Sequence, residues 1–343
     1  MDTQIITNPS DQELDMLARA LRNGELVSIP TETVYGLGAN GLDPEAMDKI
    51  YAAKGRPSDN PLILHVPNSE SIKPLVTEVS KTAQLLMDTF WPGPLTITLP
   101  KSDLVPDRAT GGLPRVALRC PDHEICRALL ERTGVPVAAP SANISGRPSP
   151  TMAQDVYHDM NGRISYILDA GPCTIGVEST VVEVHDDKVI ILRPGGITKA
   201  QLERIVSTVE YDTALVDVTT KPKAPGMKYT HYAPDAPMTV VVGTPDVVAN
   251  TFNDLSKGIE GPIGCLVSYE TYELIKADLR FKCHCFGSHG DALSLGHDFY
   301  KSLLHFNQNH VALILAEGVN DDGFGVAIMN RMEKASSHHI IYK

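Results

Sequence analysis

Aromatic side chains are scarce in this chain, with 1 tryptophan, 7 phenylalanines and 11 tyrosines among 343 residues. Platforms for stacking unpaired bases are correspondingly few. Cations are in the minority as well, 30 against 42 acidic residues, for a formal net charge of −12. A protein that lives on nucleic acid usually carries a basic balance or a basic face, so no tight, autonomous nucleic-acid binding is expected. No apolar run approaches the ~20 residues of a membrane helix, and no membrane association is expected. The opening MDTQIITNPSDQ is acidic and polar, unlike the basic start and apolar core of a secretory leader. The 6 cysteines lack the density and spacing of a disulfide framework, which points to a reducing cytoplasm. They form no C-x-x-C pair, and Cys283-His284-Cys285 alternates on an expected strand, so no protein-built metal site is expected. The commonest ATPase, zincin and hydrolase motifs, G-x-x-x-x-G-K-[ST], H-E-x-x-H and G-x-S-x-G, are all missing.

What remains is an ordinary globular composition, 42% hydrophobic and 21% charged, long enough for two domains. Short β-like runs alternate with helical patterns. Strands are expected at 26–29, 62–66, 95–99, 116–119, 136–139, 166–168, 180–184 and 189–192, and helices at 11–22, 44–53, 80–90 and 123–132. Asp43-Pro44 supplies an N-cap and first-turn proline, and Gly55 a C-terminal stop. Met47, Ile50 and Tyr51 share a helical face and should point to the core. The alternation predicts an α/β fold with crossovers, and the crowded later strands predict antiparallel additions. Residues 219–234 then hold prolines and lysines with no acid, a composition for an extended linker. A second, smaller α/β domain is expected after it, with strands at 238–242, 263–268, 281–286 and 311–316 and helices at 246–256, 292–306 and 326–335.

Polar residues concentrate at the expected strand ends of the first domain. Gly36-Leu37-Gly38-Ala39-Asn40-Gly41 has the form G-x-G-x-x-G, yet Asp59 falls before the next strand and not at its end. A dinucleotide fingerprint is therefore rejected in favour of glycines turning a loop. Lys54 and Arg56 follow the helix at 44–53. They could serve its dipole, but the polar loop Pro57-Ser58-Asp59-Asn60-Pro61 beside them favours a polyphosphate, gripped by a point charge and a planar fork. The run Ala139-Pro140-Ser141-Ala142-Asn143-Ile144-Ser145-Gly146, continuing to Ser149, sits where α/β sheets bind ligands. Gly176 to Val182 and Ile191 to Gly195 repeat the theme. Arg115 and Arg119 bracket an apolar run and point to one face, since four is an even number of strand steps.

The ordered segments PTETVYGLG, KGRPSDNPL, SANISG and GVESTVV resemble the YrdC-type threonylcarbamoyl-AMP synthases. APGMKYTHYAP and GFGVAIMNR resemble the long, two-domain form of that family. The resemblance implies a YrdC-like twisted mixed sheet with helices over 8–210, a linker at 211–236 that closes over the active site, and a Rossmann-like α/β domain at 237–343. It implies that L-threonine, bicarbonate and ATP become threonylcarbamoyl-AMP, pyrophosphate and water, with Mg²⁺ carried by ATP. The product would pass to a tRNA threonylcarbamoyl-transferase complex. Thr33, His65, Arg119, Ala139 (through its backbone) and Ser179 would form the threonine pocket. Arg56, Asn60, Ser141, Ser149, Arg193 and His231 would contact ATP, with Lys54 and Arg56 neutralising phosphate charge. Two alternatives compete with this activity: a carbamoyl-transfer maturation enzyme and a non-catalytic RNA-binding module.

Overall fold

In the computed structural model residues 2–185, 187–215 and 232–343 are described. They divide into two compact units. The first contains the strands Gln4–Thr7 (β1), Val27–Ile29 (β2), Gly36–Asn40 (β3), Ile63–His65 (β4), Leu95–Pro100 (β5), Arg115–Arg119 (β6), Val137–Ala138 (β7), Tyr166–Asp169 (β8), Thr180–Val184 (β9), Lys188–Arg193 (β10) and Thr208–Tyr211 (β11). Among the described residues these make one mixed, 11-stranded sheet, ordered β1-β8-β2-β3-β7-β4-β6-β5-β9-β10-β11. The second unit contains Met238–Val242 (β12), Ile263–Val267 (β13), Phe281–Cys285 (β14), Leu313–Glu317 (β15) and Ile340–Tyr342 (β16). Its sheet runs β14-β13-β15-β12-β16, with parallel pairing throughout.

Register decides which side chains of the first sheet meet. His65 pairs with Arg119 across β4 and β6, Thr98 with Ala117 across β6 and β5, and Thr96 with Val181 across β5 and β9. Paired residues point to the same side, and side chains alternate along each strand. One face therefore carries His65, Thr96, Thr98, Arg115, Arg119, Glu183 and Arg193. The other carries Leu64, Ile97, Leu99, Val116, Leu118 and Val182, all in the main hydrophobic core. Helices pack on that apolar face. The helix Pro44–Lys54 contributes Met47, Ile50 and Tyr51 to it, as their spacing predicts. Asp43 caps its N-terminus, and Gly55 ends it at φ +62°, a left-handed turn that costs glycine little.

The helix Asp11–Arg22 and the strands Thr180–Val184 and Met238–Val242 lie at the expected residues. One expectation is corrected: Gly36 to Asn40 is a strand and not a turning loop. A Cβ on Gly38 would sit 2.9 Å from the Val27 carbonyl and 3.0 Å from Val137, so glycine there allows close strand packing. The first unit also begins before residue 8, because β1 pairs with β8. The short strands β1, β11 and β16 were not expected from the sequence, and neither were the helices Ala153–Met160 and Tyr269–Ile275. Of the linker at 211–236, residues 216–231 lie outside the described residues, and His231 is among them.

Candidate active site

The polar face of the first sheet holds a linked row of groups. Arg119, at the end of β6, is buried beside His65 at the end of β4. Continuing the β5–β6 register sets Thr96 opposite Arg119. The Thr96 and Ser179 hydroxyls lie 2.8 Å apart, and Arg193 donates from Nη2 to the Ser179 hydroxyl at 3.1 Å and to its carbonyl at 2.9 Å. His65, Arg119, Thr96 and Arg193 on four strands, with Ser179 immediately before β9, thus form a continuous line, every one of them buried. Burial, reinforced by the Arg119 charge, holds His65 down to about 3, against pulls in the other direction from the Val137 and Ile63 backbone. The imidazole is therefore neutral at any working pH, a hydrogen-bonding group and not a cation.

The loop after β2 faces this row. Thr31 ties the loop together: its hydroxyl donates to the Val34 carbonyl at 2.7 Å and accepts from the Thr33 and Val34 amides at 3.2 Å. It also lies 2.9 Å from the Thr33 hydroxyl, which is fully buried. Between the two threonines, Glu32 places Oε1 2.8 Å from Arg119 Nη2. That pair is close in charge, but among the described residues neither Glu32 oxygen enters an aligned hydrogen bond. His65 Nδ1 and Asn60 Oδ1 are likewise buried without one. Buried polar atoms in native proteins are nearly always satisfied, so this concentration marks a place where a ligand's atoms belong.

Two loops border the row. Leu37 donates its amide to the Pro140 carbonyl at 2.7 Å, and Ala142 donates to Tyr35 at 2.8 Å, which clamps residues 139–143 against β3. Ala139 donates its own amide to Ile63 at 3.0 Å. Ser149 is buried and donates to Glu178 Oε1 at 2.8 Å. On the other side, Tyr51 holds the Pro57–Asn60 turn by donating to the Asn60 carbonyl at 3.2 Å. Arg56 is half-buried and donates to the Pro61 carbonyl at 3.2 Å.

Lys54 is placed differently from the expectation. It is 2% exposed, and its ammonium donates to the Ser141 and Asn143 carbonyls, while Ser145 donates back to its own carbonyl at 2.8 Å. Burial, and secondarily Arg56, pushes its pKa well below the ordinary lysine range, against the pull of Asp159. The bonds of this ammonium serve the shape of the 141–145 loop and are not those of a point charge facing solvent.

Two residues, Glu32 and Thr96, escaped the sequence reading, and so did the surroundings of a third. Glu32 lay inside PTETVYGLG, a run of which only Thr33 was assigned a role. Thr96 was signalled by the threonines at every second position of LTITLP, which mark one polar face on a strand. Arg115 was placed on the right face, but its surroundings were not foreseen. It borders a cavity of about 220 Å³ walled by Pro61, Leu62, Leu113, Pro114 and Ala117. It also borders a second, more polar cavity of about 180 Å³ beside Glu78 and His185. The guanidinium donates to the Thr98 and Val184 carbonyls at 2.7 and 2.9 Å. Among the described residues no group of three His, Cys, Asp or Glu side chains is arranged to hold a metal ion, and no helix is long and apolar enough to cross a membrane.

Known proteins resemble the chain over its length. Residues 19–195 match the Sua5/YciO/YrdC family model, described as telomere recombination. Residues 197–337 match the model described as threonylcarbamoyl-AMP synthase, C-terminal domain. The threonylcarbamoyl-AMP synthase of Bacillus subtilis is 45% identical over 333 residues, 97% of this chain and 95% of the relative. That of Pyrococcus abyssi is 44% identical over 336 residues, 96% of this chain and 95% of the relative. The crystal structure of P. abyssi Sua5 complexed with L-threonine superposes with a TM-score of 0.89 at 39% identity, covering 100% of both chains.

Proposed function

We propose a working scheme for this site from one premise: the chain belongs to the two-domain, Sua5-type threonylcarbamoyl-AMP synthases. It is accordingly a nucleotidyltransferase that makes threonylcarbamoyl-AMP for threonylcarbamoyladenosine modification of tRNA. That activity sets aside the carbamoyl-transfer and RNA-binding alternatives. The observation carrying the residue assignments is the buried row His65–Arg119–Thr96–Ser179–Arg193 with its unsatisfied polar atoms.

Threonine takes the strand-built end of the row. Its carboxylate pairs with Arg119, where a planar guanidinium matches a planar carboxylate. Its hydroxyl meets the polar groups around Thr33, His65 and Ser179, and its body lies along the Ala139 backbone. Bicarbonate condenses with the amine to a carbamate and water. A carbamate oxygen then attacks the α-phosphorus of ATP as the bond to pyrophosphate breaks. No protein nucleophile is required, so acceleration comes from placing reactants and neutralising charge.

ATP enters with its own Mg²⁺ and lies along Arg56, Asn60, Ser141, Ser149 and Arg193. Lys54 acts as a positioning residue by holding the 141–145 loop. The cavity of about 220 Å³ is smaller than the ~300–1,000 Å³ that takes a whole small molecule. Its apolar walls, with Arg115 at the rim, fit the base of the nucleotide. The segment 211–236, with Lys221, Lys223, Lys228, Tyr229, His231 and Tyr232, closes over the nucleotide and keeps water from the carbamate and mixed anhydride. Boundaries of 8–210 and 237–343 remain our working division of catalytic and C-terminal domains, with β1 added to the first. The six free cysteines suit a reducing cytoplasm, where a tRNA threonylcarbamoyl-transferase complex would receive the product.

Incubation with threonine, bicarbonate and MgATP tests the scheme. Pyrophosphate should appear only when both threonine and bicarbonate are present. Release that ignores either one would overturn it.

A further inference from the structure

Glu32 is a buried and poorly compensated charge among the described residues of the first unit. Its side chain is 7% exposed, its one ionic partner is Arg119 at 4%, and neither carboxylate oxygen has an aligned hydrogen bond among the described residues. Desolvating a carboxylate costs several kcal/mol, and a misaligned ion pair returns little of that. Its backbone is nevertheless firmly held. Thr31 closes the turn around it, and Thr174 donates to the Glu32 carbonyl at 3.4 Å. A carboxylate fixed in place, buried and short of donors is arranged for a donor that comes from outside.

We infer that Glu32 receives the α-ammonium of threonine, so that Glu32 and Arg119 together form a clamp for an amino-acid zwitterion. This rests on the reading that the threonine carboxylate lies at Arg119. An α-amino acid carries its ammonium one carbon away from its carboxylate. A guanidinium and a carboxylate already 2.8 Å apart present the two opposite charges at that spacing. When threonine docks, its carboxylate completes the hydrogen bonding of the guanidinium, and its ammonium supplies Glu32 with donors. The arrangement selects amino acids over hydroxy acids, which Arg119 by itself cannot do. Glu32 also touches the nitrogen that must lose a proton before it bonds carbon. The ammonium passes one proton to the Glu32 carboxylate, leaving a neutral amine. The amine nitrogen then bonds the bicarbonate carbon as a C–O bond breaks, and carbamate and water form.

The test compares threonine with 3-hydroxybutanoate, its analogue without the amine, by calorimetry on the whole chain and on Glu32→Gln. The unsubstituted protein should prefer threonine strongly. In Glu32→Gln that preference should fall by about 30-fold or more, the scale for losing one partner of a desolvated charge pair. Binding of 3-hydroxybutanoate should stay level or improve. Glu32→Asp, which keeps the charge on a shorter stem, should retain part of the preference and guards against a fold defect. An equal change for both ligands in Glu32→Gln would show Glu32 to be only a counter-ion for Arg119 and would overturn the clamp. The underlying reading fails separately, if Arg119→Gln binds threonine as well as the parent does.

Discussion

Replacing Lys54 by methionine separates a positioning lysine from a phosphate-binding one. The substitution keeps most of the side-chain volume and removes the ammonium that donates to the Ser141 and Asn143 carbonyls. Each hydrogen bond from a charged donor contributes roughly 1.5–3 kcal/mol, and a buried carbonyl left without a donor costs a further ~1–3 kcal/mol. Against this, methionine no longer has to desolvate a charge, which returns part of that loss. The net expectation is a loss of ~3 kcal/mol in stability. It should be read as a lower urea midpoint with an unchanged slope.

In the proposed scheme Ser141 on the 141–145 loop meets the nucleotide, so ATP affinity should fall in step with stability. The same variant should regain most of its ATP affinity under conditions that stabilise the fold, such as sucrose. A variant as stable as the parent, with ATP binding abolished, would show that the ammonium meets phosphate directly. The positioning argument would then be wrong.

Arg56→Ala should behave in the opposite way: its half-exposed guanidinium gives the fold little, so the thermal midpoint should hold while the ATP dissociation constant rises at least ~10-fold. Among substrates, serine should be turned over slowly and valine or 2-aminobutyrate hardly at all, because a missing hydroxyl strands buried polar partners; equal rates for valine and threonine in a pyrophosphate assay would refute the pocket. For pH, His65 titrates at about 3 in the fold against an ordinary 6.5. The unfolded chain therefore binds the extra proton between these values, and the residue's stabilisation is complete above ~6.5 and lost toward 3. At pH 4.5 that amounts to ~2–3 kcal/mol, and urea midpoints of His65→Gln should fall less between pH 7 and 4.5 than those of the parent.

The contrast between Lys54 and Arg56 shows what the sequence could and could not convey. Read as a doublet at a helix end, the two cations look equivalent. The helical period says otherwise, since Lys54 stands four residues after Ile50 and three after Tyr51, on the stripe that faces the core. Arg56 lies past the left-handed Gly55 and turns away. The distinction was available in the spacing and was masked by the expectation that charge stays exposed. Gly38 misled for a different reason. A glycine pair suggests a turn, and only the neighbouring strands reveal that the missing Cβ makes room for the Val27 carbonyl. The placement of Arg119 and His65 on one face was legible because each ends a short apolar run, where strand alternation fixes the face. Glu32 was not, because its role depends on a partner 87 positions away in the chain.

The two ends of the site are built from different materials, and this should govern how each tolerates change. His65, Arg119 and Thr96 stand on strands, locked by register and by the core on the opposite face. Groups on such elements hold their positions within fractions of an ångström, which suits recognition of a ligand as small as threonine, where one hydroxyl must be told from one methyl. Arg56, Asn60, Ser141 and Ser149 stand on loops fixed by a few backbone bonds. The triphosphate they meet in the proposed scheme offers many equivalent oxygens, so its partners need charge and reach more than exact placement. Substitutions at the strand end should therefore alter specificity and stability together, since each buried group there is also a packing element. Those at the loop end should act mainly on nucleotide affinity. Lys54 is the exception that follows from the same logic, because it belongs to a helix packed on the core while its ammonium shapes a loop of the nucleotide side.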